Sequence, residues 1–392
     1  MITMKKLLRY SLLLIFSIGF SQNIKIKVIV KDFETDLPID EVTITALKNR
    51  QGFLTNSDGE AVITLAKHSV LEFSHSTYNT FSVKSDLLNK KVNVVYLDSK
   101  TQLLEEVVLT KDHPQDILKK LVETSRDKIT IPANLKVYLR EFYKRNDNFV
   151  FFNDGLLNFQ IYGDSKKITT DILVEQNRSV GLLDGDIDDG VLGYNLNNII
   201  ENYYQFKYLD EILSKRARKE YDFQVKTYPL NEDFLVIRAL PYNSSTGILS
   251  DFYVVYDTNK RIIIEVSAML SSQRLQMLET EENSKIHKLE FKNVFRNEDG
   301  FYHLANSKEV IGFYKKYKGE KRKIEVKNHL VVTNFDKKMF QYEKRNIFND
   351  KSLINKKSTV FTEYWEFDSG LKPTVKEKEI IQSLVAVNDT ID

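Results

Sequence analysis

Apolar and polar residues alternate with period two along much of this chain. In residues 24–31, Ile24, Ile26, Val28 and Val30 share one face, and Lys25, Lys27 and Lys31 the other. That is the pattern of a half-buried strand. A turn marked by Leu37-Pro38-Ile39 leads to a second strand with Val42, Ile44 and Ala46 inward. In "LTNSDGEAVITL" (54–65), Asp58-Gly59 predicts a hairpin, because glycine takes positive φ without a Cβ clash. Beyond it Ala61, Ile63 and Leu65 oppose Val62 and Thr64. "VLEFS" adds a strand through Leu71 and Phe73, and "KVNVVYL" one through Val92, Val94 and Tyr96. Short strands at this spacing, with no helical period between them, predict an antiparallel β-sandwich.

The pattern changes after residue 110. Asp112-His113-Pro114 opens a helix, with Asp112 as N-cap and Pro114 in the first turn. Ile117, Leu118, Leu121 and Val122 give it one apolar stripe up to Lys128. Long strands are predicted at 135–145 and 148–163, then a polar loop, then a helix near 196–219 carrying Ile199, Ile200, Tyr203, Leu209 and Leu213. A meander follows, with strands at 221–228, 234–240, 251–257, 261–270, 286–296, 302–316 and 322–335. Its turns fall at Asp257-Thr258-Asn259-Lys260, at 297–300 and at Lys318-Gly319. Ile324, Val326, Leu330 and Val332 oppose Lys323, Glu325, Lys327 and His329. Leu289, Phe291 and Phe295 oppose Lys288, Glu290 and Lys292. One apolar and one charged face predict a large curved antiparallel sheet whose apolar side is covered by helices. Pro373-Thr374 leads into a last helix bearing Ile380, Ile381 and Leu384. The expected fold class is mainly β with α: a sandwich at 22–110, then an α+β domain at 111–392 built on a half-barrel-like antiparallel sheet.

The first of these regions resembles a known family. Leu37-Pro38-Ile39, Thr55 with Asp58-Gly59, Leu71-Glu72-Phe73-Ser74 and Leu104-Glu105-Glu106-Val107-Val108 together resemble the carboxypeptidase regulatory-like domain, over about residues 23–110. The resemblance implies a transthyretin-like seven-stranded sandwich, a non-catalytic module common at the front of exported Bacteroidota proteins. The chain departs from the family's pattern at Asn56, usually acidic, and at Ala61, usually aromatic. The later region, with "YLREFYKR", "VEQNRSV" and "EYWEF … LKPTVKEKEII", resembles uncharacterised Bacteroidota proteins that carry the same first domain. Its sheet is similar to the half-barrel of periplasmic lipoprotein carriers, and function does not follow from that analogy.

The N-terminus adds a compartment. Lys5, Lys6 and Arg9 precede an apolar run, Ser11 to Phe20, with Gly19 and Ser21 at its end. A positive region, a short apolar core and small residues predict a signal peptide, residues 1–21, cleaved after Ser21. The run is shorter than the about 20 apolar residues a spanning helix needs. Cysteine is absent. That excludes disulfides, thiolate metal sites, cysteine nucleophiles and thiol-linked lipoprotein acylation. Loss of Lys5, Lys6 and Arg9 from the 57 basic residues leaves 54 against 55 acidic ones. This balance offers no electrostatic footprint for nucleic acid. The densest basic stretch, Lys315 to Lys323, is expected to be a solvated hairpin tip, the other use being contact with anionic envelope lipid or lipopolysaccharide.

Candidate chemistry is sparse. His287-Lys288-Leu289-Glu290 is the one H-x-x-E, with His303 or His329 as possible third ligands of a zinc site. On a regular strand residues three apart face opposite sides, so His287 would lie with Leu289 and Phe291, and Glu290 with Lys288 and Lys292. "LLDGDIDDG" (182–190) places Asp184, Asp186, Asp188 and Asp189 in one loop. An EF-hand count from Asp184 puts Asp189 and Asn195 where glycine and glutamate belong, so a polar acidic loop is expected there. G-x-S-x-G, P-loop and H-E-x-x-H motifs are absent. The 20 tyrosines and 24 phenylalanines suit a sheet core first, and a glycan or lipid site second. The sequence therefore predicts a non-catalytic exported envelope protein, periplasmic or outer-membrane-associated, that binds or scaffolds a hydrophobic ligand, a glycan or another envelope component. Peripheral membrane contact is compatible with it. No catalytic residue, cofactor or metal is assigned. The alternatives are a component of an outer-membrane transport or lipid- or glycan-carrying system, and a hydrolase with an accessory sandwich.

Overall fold

The computed structural model describes residues 23–75, 77–99, 106–184, 195–229, 231–271, 286–298, 300–354 and 370–389, with positions 275, 356 and 358. Residues 1–21, Leu104 and Glu105, Asp186, Asp188 and Asp189, and "EYWEF" (363–367) lie outside them.

Seven strands make the first unit: β1 (Ile24–Asp32), β2 (Thr43–Ala46), β3 (Gln51–Leu54), β4 (Glu60–Leu65), β5 (Val70–His75), β6 (Tyr78–Lys84) and β7 (Asn93–Leu97). They form two layers, β4-β1-β7 and β3-β2-β5-β6. Ile26, Val28 and Val30 of one layer meet Ile44, Leu71 and Phe73 of the other in a core of their own.

Three expectations are corrected here. Asp58-Gly59 does not close a hairpin, since β3 pairs β2 while β4 pairs β1. The turn instead carries the chain from one layer to the other. Gly59 lies at φ +69°, and Asn56 Oδ1 accepts from both Asp58 N (3.0 Å) and Glu60 N (2.9 Å). In β7 the inward residues are Val95 and Leu97, with Val94 and Tyr96 exposed. Parallel pairing with β1 sets that register, and Tyr96 bonds Asp36 on the surface. β6, absent from the sequence pattern, is an edge strand with mostly exposed residues.

Ten antiparallel strands make the long sheet: β8 (Ala133–Arg145), β9 (Asn148–Gly163), β10 (Ile168–Gly181), β11 (Tyr221–Thr227), β12 (Phe234–Pro241), β13 (Asp251–Asp257), β14 (Ile262–Met269), β15 (Ile286–Glu298), β16 (Phe301–Tyr317) and β17 (Glu320–Asp336). Their order is β10-β9-β8-β17-β16-β15-β14-β13-β12-β11, and the sheet stays open. β10 occupies what the sequence reads as a polar loop. A register shift between Val174 and Gln176 interrupts its alternation, which hides the strand from a period-two count. β17 joins the two units, because Asn334 at its end pairs with Gln51 of β3.

One face of the long sheet carries α1 (Pro114–Lys128), α2 (Ile199–Tyr204), α3 (Asp210–Leu213) and α4 (Ala217–Glu220). Leu118, Leu121, Ile200, Tyr204 and Ile212 pack there on Val137, Leu157, Val254, Phe295 and Leu330. Two helix readings change. The N-cap of α1 is His113, whose Nδ1 accepts from Gln115 N (3.1 Å), because Pro114 already fills the first helical position. Asp112 instead pairs with Lys120 at 2.6 Å. The single helix near 196–219 is a series of short turns, broken where Phe206 adopts φ +53°. The opposite face holds the sandwich over β13–β17 and α5 (Val375–Asp389) over β8–β10, where Ile381 and Leu384 meet Phe142, Phe152 and Val180. No described helix is long and apolar enough to cross a membrane.

Candidate binding cleft

The loop before β2 sets a carboxylate between the two units. Glu41, at φ +58°, reaches the sandwich-side face of the long sheet and pairs with Lys308 at 2.6 Å and Lys292 at 3.1 Å. Lys292 also meets Glu265 at 3.7 Å. Burial raises the Glu41 carboxyl, but Lys292 and Lys308 outweigh it and hold the group at about 2. Burial pushes Glu265 upward, against Lys292 and with Glu41 adding to the rise. Further along, Arg296 Nη1 donates to Thr45 Oγ1 (2.7 Å) and to Glu298 (3.2 Å).

Two clefts adjoin at Glu41 and Lys292. One, of about 310 Å³, lies between the outer face of the β2–β5 layer of the sandwich and β13–β15, with Tyr228, Phe234 and His75 in its wall. The other, of about 280 Å³, is walled by Tyr253, Met269, Phe291 and Val310. The arrangement offers aromatic and apolar surface beside a few fixed charges, the usual composition of a small-ligand site. No sequence signal pointed to Glu41, since its role depends on a left-handed turn that aims it at residues some 250 positions away (|i−j| = 251 for Lys292).

The residues weighed for chemistry in the sequence fall elsewhere. A bulge between Ile286 and Lys288 carries His287 over Gly312 and Tyr314, its ring 4.9 Å from that of Tyr314. His287 therefore shares the face of Glu290, which corrects the expected divergence. Glycine at 312 leaves the room the ring occupies. His329 sits four positions further along β17 than Glu325, about 13 Å at strand rise, beside Arg140 at 3.3 Å. Burial, then Arg140, hold its imidazole well below the ordinary range. His303 is stacked on Phe335 at 4.2 Å, and burial lowers it to about 3. Among the described residues no three His, Cys, Asp or Glu side chains come together as a metal group. Asp184 is held by Arg322 (2.9 Å) and Arg145 (3.5 Å). The Lys315–Lys323 stretch is the β16–β17 tip, turned at Lys318-Gly319, with Lys321 over Tyr314 and Arg322 over Tyr317.

On the helix side of the sheet, polar residues interrupt the core. Glu141, Asn153, Asn328 and Asn293 are buried on strands whose neighbouring positions on the same face are mainly apolar. Burial raises Glu141 to about 7, and likewise Glu309. Their signal was present in the sequence: Asn328 falls between Val326 and Leu330, Asn293 between Phe291 and Phe295, and Glu141 between Leu139 and Tyr143.

No family model and no curated protein matches the chain. Among solved structures, lipovitellin, determined in a study of lipid–protein interactions, is similar at 12% identity and TM-score 0.24, over 60% of this chain and 29% of its own. This chain thus spans under a third of lipovitellin. A LolA-superfamily protein from Nitrosomonas europaea is similar at 9% identity and TM-score 0.23, over 61% of this chain and 98% of its own. The Pseudomonas aeruginosa MucA/MucB complex gives 10% identity and TM-score 0.18, over 57% and 98%. At these scores none of the three bears on what this chain binds.

Proposed function

We propose that this chain is a non-catalytic binding protein of the cell envelope, and that its ligand lies in the paired clefts where the sandwich meets the long sheet. The observation that carries this reading is the ion cluster at their junction. Glu41, Glu265 and Glu298 are each held by a lysine or arginine, so the polar groups are arranged to position a ligand. Aromatic rings at Tyr228, Phe234 and Tyr253 beside such groups suit a hydroxylated, glycan-like ligand of one or two rings. The apolar N-terminal run behind Lys5, Lys6 and Arg9 supports an exported chain.

One feature favours hydrolysis as the second reading. Glu41 is pushed down and Glu265 up around a shared lysine, and two carboxyls separated in this way are a common acid and base pair. A single experiment separates the two. The mature chain is incubated with envelope oligosaccharides, and bound material is eluted and weighed. Binding predicts a retained glycan of unchanged mass and about tenfold weaker retention in Tyr253→Ala, on the order of 1.4 kcal/mol. Cleaved products that vanish in Glu265→Gln would establish the hydrolase instead. No retention of any glycan would remove the glycan assignment.

A further inference from the structure

Glu141 faces the helix side of the long sheet with 0% exposure, and the groups beside its carboxylate are the neutral side chains of Asn153 and Tyr143. The strand register sets Ser179, Asn153, Glu141, Asn328 and Glu309 opposite one another, on β10, β9, β8, β17 and β16 in turn. One lateral polar row thus crosses the sheet. Asn153 and Asn328 are buried, and both polar atoms of the Asn328 carboxamide are without a partner. Glu309 accepts one hydrogen bond, from the Tyr203 hydroxyl at 2.8 Å. Leu139 and Leu330 close the row on one side, and Val326 with the ring of Tyr143, whose hydroxyl meets Glu141, on the side of the β16–β17 tip.

The charge in this row is unbalanced. It holds two carboxylates, and none of its described residues is basic. The basic strand residues on this face, Arg145, Lys315 and Arg322, lie four or more positions along their strands, about 13 Å or further at strand rise. Arg145 and Arg322 hold Asp184. A buried carboxylate with no positive charge beside it is costly. Carboxamide oxygens alongside two carboxylates are the donor set of a hard cation, and the row has neither imidazole nor thiolate for a softer one.

We infer that Asn153, Glu141, Asn328 and Glu309 form a site for a hard divalent cation, Ca²⁺ foremost. Glu141 and Glu309 neutralise the ion, and the two asparagine carbonyls add oxygen ligands. Residues opposite each other on antiparallel strands lie about 4.5–5.5 Å apart at Cα, so the two glutamates are about 10 Å apart with Asn328 between them. Two glutamate side chains leaning toward Asn328 span that distance. This inference is independent of the cleft, which lies on the other face.

The full chain, stripped with EDTA, is titrated with Tb³⁺ and with Ca²⁺. Tyr143, two residues from Glu141 on the same face, serves as the sensitiser of terbium luminescence. One bound Tb³⁺, displaced by Ca²⁺, and a melting temperature raised by Ca²⁺ are expected. Glu141→Gln should weaken binding at least tenfold, and Glu309→Gln likewise. A chain with Asp184, Asp186, Asp188 and Asp189 all changed to Asn should bind as before, because the acidic loop is not the site. If the glutamine variants do not fold, the native chain with and without Ca²⁺ decides. No Ca²⁺-dependent melting shift in the stripped native chain overturns the inference. So does binding that survives Glu141→Gln but is lost in the loop variant.

Discussion

Glu41 combines a left-handed backbone with a carboxylate pinned between two lysines. A residue with a Cβ gives up on the order of 1 kcal/mol to stay in that conformation, so the ion cluster and the turn hold each other in place. Glu41 also has a pH signature. Its folded value of about 2 lies below the ordinary glutamate range, so its stabilisation is complete above about pH 4.5 and is lost as pH falls through 2. His303, buried neutral at about 3, loses its own contribution as pH falls from about 6.5 toward 3. The raw profile therefore mixes several groups, and the difference between native protein and Glu41→Gln isolates one. In urea titrations the native chain should lead by roughly 1–2 kcal/mol at pH 6, and the lead should shrink steadily below pH 4.5. A difference independent of pH would mean that Glu41 does not carry its charge into the cleft.

Among the elements, α5 shows most directly how sequence sets local structure. Thr374-Val375-Lys376-Glu377 is a capping box: Thr374 Oγ1 accepts from Glu377 N (3.0 Å), and Glu377 Oε2 accepts from Thr374 N (2.9 Å). The other Glu377 oxygen meets Arg140 of β8 at 3.4 Å, so the cap also docks the helix. Thr374→Ala should cost about 1 kcal/mol, read as faster amide exchange along residues 376–386 with the β8–β9 amides unchanged. Uniform acceleration through the whole chain would place the effect elsewhere. This helix was legible beforehand, because Pro373-Thr374 and the Ile380, Ile381, Leu384 spacing are local signals. The long strands of the meander were legible for the same reason. Where register decided the outcome, reading failed. The faces of Val94 and Tyr96 follow from β1, β10 is masked by its own bulge, and His287 changes sides through another. Two members of the polar row, Glu141 and Asn328, were visible as breaks in apolar alternations, but nothing local says that they belong to a row across five strands.

At the scale of the molecule, the sandwich core is made from its own strands, from Ile26 to Leu97. Residues 22–110 are therefore expected to fold alone, seen as a dispersed amide spectrum and a cooperative melt. Within that fragment Gly59→Val should lower stability by about 1–3 kcal/mol. A Cβ there would stand 2.5 Å from the Val30 carbonyl oxygen, at a φ that β-branched residues resist. A disordered fragment, or an unshifted melt in the variant, would contradict this account of the turn. The docking of the two units is tight as well. A Cβ on Gly52 would come within 2.8 Å of the Val332 carbonyl oxygen, and Leu54 N donates to Gly370 O at 2.7 Å.

β17 lies between β16 and β8 and also touches β3. Its pairing with β8 joins partners 189 positions apart, as at Arg140 and His329. During synthesis β8, β9 and β10 can zip together early as local hairpins, but β8 must then wait for almost half of the chain to appear. Closing so long a loop is slow. Until Glu320–Asp336 arrives, β8 and β16 each present a long unpaired edge, the kind of surface that captures any extended peptide nearby. The interval before β17 inserts is thus when this protein is most exposed to misassembly, and a chain interrupted just short of Glu320 would keep that hazard permanently.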